Sequence, residues 1–340
     1  MGARILITGG AGFIGVNAAD AFASRGFAVT VLDNLSRAGA PANLDWLRAR
    51  APAIDFRQID IRHQAALDDL FKAASFDVVL HLAAQVAVTT SVAAPREDFE
   101  INATGTFNLL EAVRRHNAEA KVIYASTNKV YGRMENVPIA LRDGRYDYEA
   151  LDAGVGEDQP LDFHSPYGCS KGCADQYVLD YARIYGLRTC VFRQSCIYGT
   201  RQFGIEDQGW VAWFTIAATL GRPITIYGDG RQIRDLLWVD DLTGAYLAAI
   251  EHGDQVAGQA FNIGGGPEKT LSLLELIALL ESKLDRKIPL RFADWRPGDQ
   301  AVFVCNLDKA KRLLQWAPAV PPAAGVAKLA AWVADNRQLF

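Results

Sequence analysis

Cysteine is scarce: five residues in 340, at positions 169, 173, 190, 196 and 305, an odd number without a CxxC pair. That pattern argues against a disulfide framework and a structural zinc site, so no metal is expected and a reducing cytoplasm fits best. A surplus of positive charge is missing too. The 35 Lys and Arg residues face 39 Asp and Glu for a net charge of -4. Gripping a nucleic-acid backbone takes a basic face, so nucleic acid is not an expected partner. Charges interrupt each apolar run before it reaches the roughly 18 residues of a bilayer-crossing helix, and no membrane partner is expected. The opening residues run straight into a glycine-rich turn, with no charged region and apolar stretch of the leader kind. Internal repeats and low-complexity tracts are also lacking. What is plentiful is apolar character, 50% of the chain, enough for a substantial core in one large or two closely joined domains.

Short β-branched runs at Arg4–Thr8, Ala28–Asp33, Ile54–Asp60, Asp77–Leu82, Lys121–Ser126 and Thr189–Arg193 read as buried strands. Between them lie amphipathic stretches such as Ile101–His116, with Phe107, Leu110, Ala112 and Val113 at helical spacing. This alternation predicts an α/β fold, a doubly wound parallel (Rossmann) sheet. The stretch from Asn128 to Ser165 is too long and too rich in Gly, Pro, Asp and Arg for an ordinary connection, and is expected to line an active site. After Arg193 the rhythm loosens into Gly- and Arg-rich loops, short strands at Ile224–Tyr227 and Ala260–Ile263, and helices near Ser272–Leu284 and Gly325–Asn336. Residues 1–193 are read as the dinucleotide-binding domain, taking back about 234–263, and 194–233 with 264–340 as a smaller α/β substrate lobe.

The run Ile5-Leu6-Ile7-Thr8-Gly9-Gly10-Ala11-Gly12-Phe13-Ile14-Gly15 sets glycines at i, i+3 and i+6 between a strand and a helix. Gly9 permits the tight turn, Gly12 lets backbone approach a pyrophosphate, and Gly15 lets helix pack on strand, with the helix N-terminus (Phe13, Ile14) facing the phosphates. The alternative is an ordinary strand-to-helix turn. Asp33, 18 residues past Gly15, ends the second strand where a carboxylate accepts bonds from ribose hydroxyls and repels a 2′-phosphate. NAD is thus favoured over NADP, with Asn34, Ser36 and Arg37 alongside, Arg37 being the one feature compatible with NADP. Asp60, followed by Ile61, is either a contact to the adenine amino group or a plain loop carboxylate.

Tyr167 and Lys171 stand four residues apart at the start of a helix that Ser165 caps and Pro166 begins, which puts both on one face. A phenol with an ordinary pKa near 10 works as a base at neutral pH only beside cations. Lys171 and an oxidised nicotinamide supply that charge. The phenolate then takes a hydroxyl proton while the carbon beneath gives up hydride. Thr127, after Ser126 at the carboxyl edge of the fifth strand, is placed to bind the same hydroxyl. By chance alone, the same spacing gives a half-buried tyrosine beside a solvated lysine.

These residues resemble the NAD-dependent epimerase/dehydratase family, the extended short-chain dehydrogenases, over essentially the whole chain. The resemblance extends to His81-Leu82-Ala83-Ala84-Gln85, which in the family lies along the cofactor, to Asn102, which supports the cofactor site, and to Val130-Tyr131-Gly132. Three stretches look most like the branch that inverts C2 of CDP-linked sugars of the paratose and tyvelose type in O-antigen assembly: Ser126–Gly132, Asp162–Gly172, and Arg201-Gln202-Phe203 with Asp207-Gln208-Gly209-Trp210. The resemblance implies tightly bound NAD, a CDP-linked nucleotide-sugar substrate, a 2-keto intermediate that turns over in the pocket, and a homodimer or homotetramer built on the helices near Gly105–His116 and Tyr167–Tyr185. Dehydratases of the family carry an Asp-Glu pair after the Ser/Thr. Here Asn128 and Lys129 stand in those places. A nucleotide-sugar 4-epimerase of the UDP-glucose type, a 4,6-dehydratase and a non-catalytic NAD-binding regulator are the competing readings.

Nucleotide diphosphates call for guanidinium forks, and Arg201, Arg231, Arg234 and Arg296 stand on loops of the second half. Family positions like Arg234 and Arg296 hold the pyrophosphate and ribose; surface ion pairing is the plainer alternative. Asn128, Gln208 and Trp210 complete the expected substrate contacts, with Trp210 and Trp213 equally suited to core packing. His164 either touches the sugar or is a loop histidine satisfied by backbone. Cys169 and Cys173 read as buried thiols, and Asp240-Asp241 as a helix cap.

Overall fold

The computed structural model describes residues 2–296 and 299–340. Seven short runs, apolar except for the polar edge strand β3, pair into one sheet: β1 (Arg4–Thr8), β2 (Ala28–Asp33), β3 (Asp55–Gln58), β4 (Val78–His81), β5 (Lys121–Thr127), β6 (Arg188–Gln194) and β7 (Gln259–Ile263). Their order is β7-β6-β5-β4-β1-β2-β3, parallel throughout. Side chains alternate across it, so Ile5, Ile7, Val31, Leu80 and Ile123 enter one core while Leu6, Leu32, Val79, Val122 and Tyr124 enter the other. Helices therefore cover both faces. The order reverses between β1 and β4, which opens a crevice beyond the carboxyl ends of those strands. Every element of the site described below borders that crevice.

Four expectations change. The helix expected over 101–116 is regular only from Gly105 to His116; residues Glu100–Thr104 form a π-helical turn that rotates Asn102 inward. The stretch expected as irregular loop holds a hairpin, Ile139–Arg142 paired with Arg145–Tyr148, closed by Asp143-Gly144 with both φ values positive (49° and 82°). That hairpin leaves the large sheet and docks on the smaller lobe, where the Tyr146 N–H donates to Arg231 O (3.1 Å) and Arg145 pairs with Glu275 (3.1 Å). Within the span read as taken back by the first domain, about 234–263, Gln259–Ile263 joins the large sheet, while the strand Ile233–Trp238 belongs to a smaller sheet with Thr270–Ser272, Val302–Phe303 and Cys196–Tyr198. Finally, the last helix, expected near Gly325–Asn336, starts at Pro322 and ends at Asp335, because proline suits a first helical turn. The helix Leu273–Leu284 begins on a capping box between Ser272 and Glu275. Among the described residues no helix is long and apolar enough to cross a membrane.

Candidate active site

The glycine turn is fixed by sterics. Gly9 has φ 67°, and a Cβ there would lie 2.7 Å from Ala83 N; a Cβ on Gly15 would lie 2.3 Å from Gly9 O. Gly12 differs, since a Cβ there would crowd only Gly9 O at 3.1 Å, so its open side is the crevice. The helix Phe13–Ser24 begins at Gly12 with no side chain capping it, which leaves its first N–H groups available to an anion. Asp33 Oδ2 accepts from the Ala11 N–H (3.1 Å) and Oδ1 from the Leu35 N–H (2.8 Å). Burial raises the Asp33 carboxyl above its ordinary value against those bonds. Asn34 and Arg62 hold Asp60 (3.0 and 2.7 Å), and Arg62 keeps its carboxyl far below the usual range. Gly9, Gly12, Phe13, Ile14, Gly15, Asp33, Asn34, Ser36, Arg37, Asp60, Ile61, Leu82, Ala83, Ala84, Ser126, Tyr167 and Lys171 line one continuous cleft. A long groove with a glycine cradle at one end and a carboxylate at the β2 edge fits a dinucleotide.

At the other end Tyr167 and Lys171 emerge from the helix Ser165–Tyr185, both buried. Ser165 itself has φ 66°, and its hydroxyl accepts from the Gly168 N–H (3.2 Å), the capping bond expected of it. The Thr127 side chain sits close enough to the Tyr167 phenol to lower its pKa against the effect of burial. Lys171 Nζ donates to Ala125 O (2.6 Å) and sits 4.2 Å from the centre of the Tyr124 ring. Burial pushes the Tyr167 phenol up to about 12, and burial pulls Lys171 down to about 7. Lys171 directs its ammonium at a carbonyl and a ring face, so the cation that would lower the phenol has to come chiefly from the other expected source, the oxidised nicotinamide. Arg37 reaches far enough along the cleft to lower the Tyr167 value slightly.

Two buried networks hold this trio from opposite sides. In one, Asp98 accepts from Ser170 Oγ (2.5 Å), Gln85 Nε2 (2.8 Å) and Asn102 Nδ2 (3.2 Å), while Asn102 exchanges bonds with the Gln85 backbone. Gln85, expected along the cofactor, thus turns away from the cleft into that network; Asn102, expected to support the cofactor site, is buried in the same network. In the other, Arg193 pairs bidentately with Asp175 (both 3.0 Å), Ser126 Oγ donates to Asp175 (2.7 Å), and Tyr131 links Arg193 to Asn262. His81 joins the two halves of the crevice. Thr106 donates its hydroxyl proton to Asn102 O, so it accepts from His81 Nε2–H, and His81 Nδ1 accepts from Thr8.

The second half divides differently than expected. Arg201 and Gln208, expected at the substrate, line the same continuous cleft as the glycine turn, Tyr167 and Lys171. The Arg201 guanidinium stacks on Trp46 at 4.4 Å, its carbonyl accepts from Asn43 (3.3 Å), and the Phe203 ring fills the space beside Gly39. Arg231 is exposed on the Gly228–Gly230 turn. Arg296 lies 3.9 Å from the Tyr227 ring centre and pairs with Asp207 (3.1 Å); its neighbours Pro297 and Gly298 lie outside the described residues. Arg234 faces the 299–300 segment, donating to Gln300 O (2.7 Å). Asn128 lies near Gln300 Oε1 (3.5 Å). The indole N–H groups of Trp210 and Trp213 are buried without an acceptor among the described residues. His164 bonds Asp162 (2.8 Å) at the surface, a carboxylate partner in place of sugar or backbone. Cys169 is exposed and Cys173 half-buried, because they sit two residues from the inward face of Tyr167 and Lys171. Asp240 accepts from the Trp238 indole and Asp241 from the N–H groups of Ala319 and Val320, so neither caps the helix.

A family model, the NAD dependent epimerase/dehydratase family, matches residues 5–264. The chain belongs to this family. NAD is accordingly the dinucleotide that the cleft accommodates. Across 98% of its length the chain is 46% identical to a CDP-paratose 2-epimerase of Salmonella typhi, of which 99% is covered. It is 34% identical to a dTDP-glucose 4,6-dehydratase of Neisseria gonorrhoeae, over 98% of this chain and 96% of that one. Among solved structures, UDP-glucuronic acid 4-epimerase of Bacillus cereus in complex with UDP-glucuronic acid and NAD superposes with a TM-score of 0.84 at 28% identity, covering 99% of this chain and all of that one. Sequence reasoning missed Asp98, Gln300 and the Phe203–Gly39 contact. Each depends on a partner more than 70 residues away, and no local spacing announces it.

Proposed function

We propose that the protein inverts C2 of a CDP-linked deoxyhexose of the paratose type by removing and returning one hydride within a single active site. The observation that carries this reading is the 46% identity to a CDP-paratose 2-epimerase over 98% of the chain. The geometry agrees with it. Thr127 and Tyr167 hold one hydroxyl-sized position at the end of β5, and Asn128 and Lys129 follow Thr127, so elimination of water lacks a carboxylic acid there. When bound, NAD supplies the hydride acceptor and, in its oxidised form, a positive charge near the phenol. Tyr167 takes the proton of the sugar hydroxyl and later returns it; Thr127 orients that hydroxyl, and Lys171 with the Ala125 carbonyl fixes the side of the helix that faces it. The 2-keto sugar turns over between the two transfers, presenting its opposite face.

The substrate's diphosphate belongs with Arg234 and Arg296, the lobe formed by 194–233 and 264–340 closing on the nucleotide. Purified protein is expected to carry NAD. The helices Gly105–His116 and Ser165–Tyr185 expose Phe107, Tyr177, Ile184 and Tyr185 side by side, with Phe107 and Tyr177 5.9 Å apart, an apolar face suited to a homodimeric four-helix contact. Free thiols at all five cysteines fit a cytoplasmic setting.

Incubation with CDP-paratose, CDP-glucose and UDP-glucose, with product stereochemistry assigned by NMR, tests the reading. Inversion at C2 of the CDP-deoxyhexose is expected. Change at C4 with none at C2 would establish a 4-epimerase instead.

A further inference from the structure

Asp98 lies in the short helix Pro95–Phe99, one turn before Asn102, and both side chains face the helix that carries Tyr167 and Lys171. It is 1% exposed. Its Oδ2 accepts from Ser170 Oγ (2.5 Å), and its Oδ1 accepts from Gln85 Nε2 (2.8 Å) and Asn102 Nδ2 (3.2 Å). Ser170 Oγ in turn accepts from Asn102 (3.1 Å), which directs its own proton at Asp98. Both carboxylate oxygens thus receive donors, an arrangement that favours the ionised form. All three donors are neutral, and among the described residues no lysine, arginine or histidine pairs with Asp98. The other carboxylate behind the helix differs. Asp175 is paired bidentately with Arg193 at 3.0 Å, so a held guanidinium opposes its charge.

A buried anion without a cation in contact acts on the nearest one across space of low dielectric. For Asp98 that cation is Lys171, the residue after its partner Ser170, itself 3% exposed. Burial lowers Lys171 while Asp175 and Asp98 raise it, and Lys171 in turn draws down an Asp98 carboxyl that burial raises. The other titratable groups facing Lys171 carry no charge there: burial pushes the phenols of Tyr124 and Tyr167 up and pulls His81 on β4 down to about 3. The reaction proposed above gives this pairing a purpose. As the sugar is oxidised, its hydroxyl proton goes to Tyr167 and its hydride to the cofactor, so one negative and one positive charge vanish together and return together. Lys171 keeps its charge through both transfers and needs a counter-charge that neither transfer removes. We propose that Asp98 is that counter-charge, a positioning residue that holds the catalytic turn through Ser170 and keeps the Lys171 ammonium charged throughout the cycle. The proposal rests on the hydride-transfer reading of the site.

The test follows Lys171 itself. Protein labelled with carbon-13 at the lysine ε-carbon is titrated by NMR, the Lys171 signal being the one lost in Lys171→Arg, and kcat with CDP-paratose is measured across the same pH range. In Asp98→Asn, which keeps the size of the side chain and an acceptor for Ser170, the Lys171 midpoint should fall by about one pH unit. At pH above both midpoints the charged fraction, and kcat with it, should then drop about tenfold. Asp98 also works against the Tyr167 phenolate, so kcat should recover at lower pH, where Lys171 is charged in both proteins. Asp98→Glu should keep the wild-type midpoint. An unchanged midpoint in Asp98→Asn overturns the proposal, and so does a kcat deficit of equal size at every pH, the mark of a purely structural residue. Should Asp98→Asn fail to fold, Asp98→Ser removes the same charge and carries the same expectation. The NMR titration needs no substrate: a Lys171 that responds to Asp98 in a protein that inverts no CDP-sugar would retire the functional reading and leave the pairing standing.

Discussion

The two ends of the crevice are built from different materials. At the cofactor end, backbone does the positioning: Gly9, Gly12 and Gly15 shape a turn whose neighbours are strands β1 and β4, and the Asp33 carboxylate accepts from the backbone N–H groups of Ala11 and Leu35. At the substrate end, long cationic side chains converge from distant segments, Lys129 and Arg234 on Asp299 and Arg296 on Asp207. The contrast teaches that the first end is shaped by local backbone, while the second is assembled from side chains that meet across distant segments. The chemistry sits at the seam, held by the Asp98 and Asp175 networks.

The contrast breaks most sharply if the seam is altered without disturbing either end. Tyr167→Phe is expected to lower kcat by roughly two to four orders of magnitude while NAD content and CDP affinity stay as in the wild type, since a proton-transfer group alone is lost. A variant that lost NAD as well would show that the phenol positions the cofactor. Next in size, Asp175→Ala leaves Arg193 buried without its carboxylate, and denaturant unfolding should show a loss of about 3–5 kcal/mol. A loss under 1 kcal/mol would mean that the network is ornamental to the fold.

A third substitution asks whether the cofactor end is self-sufficient. Phe203→Ala removes the ring that packs beside Gly39 and near Trp332 and Phe340 (6.3 and 5.5 Å). It should speed NAD release several-fold in a desalting time course with little change in CDP affinity. Equal retention would confine Arg201 and Phe203 to the substrate side. The smallest effect concerns pH. Burial holds His81 down to about 3, so the folded protein keeps it neutral while the unfolded chain protonates near 6.5. Stability is therefore full above pH 6.5 and is lost as pH falls toward 3, by roughly 1 kcal/mol per pH unit. Unfolding curves at pH 7, 6 and 5 should show that slope, and His81→Asn should flatten it.

What was legible in the sequence follows the same division. The glycine turn, Asp33, and the Tyr167–Lys171 pair each announce themselves within a few residues, because strand, turn and helix are local, and the structure puts all of them on one cleft. The hairpin at Asp143-Gly144 carried a local signal that the surrounding loop-like composition obscured. Diphosphates call for arginine, which points Arg201 to the substrate; which wall it faces depends on how the segment around residue 203 returns over Gly39, a contact across more than 150 residues. The charge states of Tyr167 and Lys171 were unreadable for another reason: spacing puts them on one face, but burial decides their pKa values.

The central claim is that one hydride leaves C2 and returns to it. CDP-paratose incubated with the enzyme in D2O, followed by proton NMR at C2, tests this directly. The account predicts inversion at C2 with protium retained there, and, from C2-deuterated substrate in ordinary water, deuterium retained. Solvent deuterium appearing at C2 at the rate of inversion would contradict it and establish a deprotonation route.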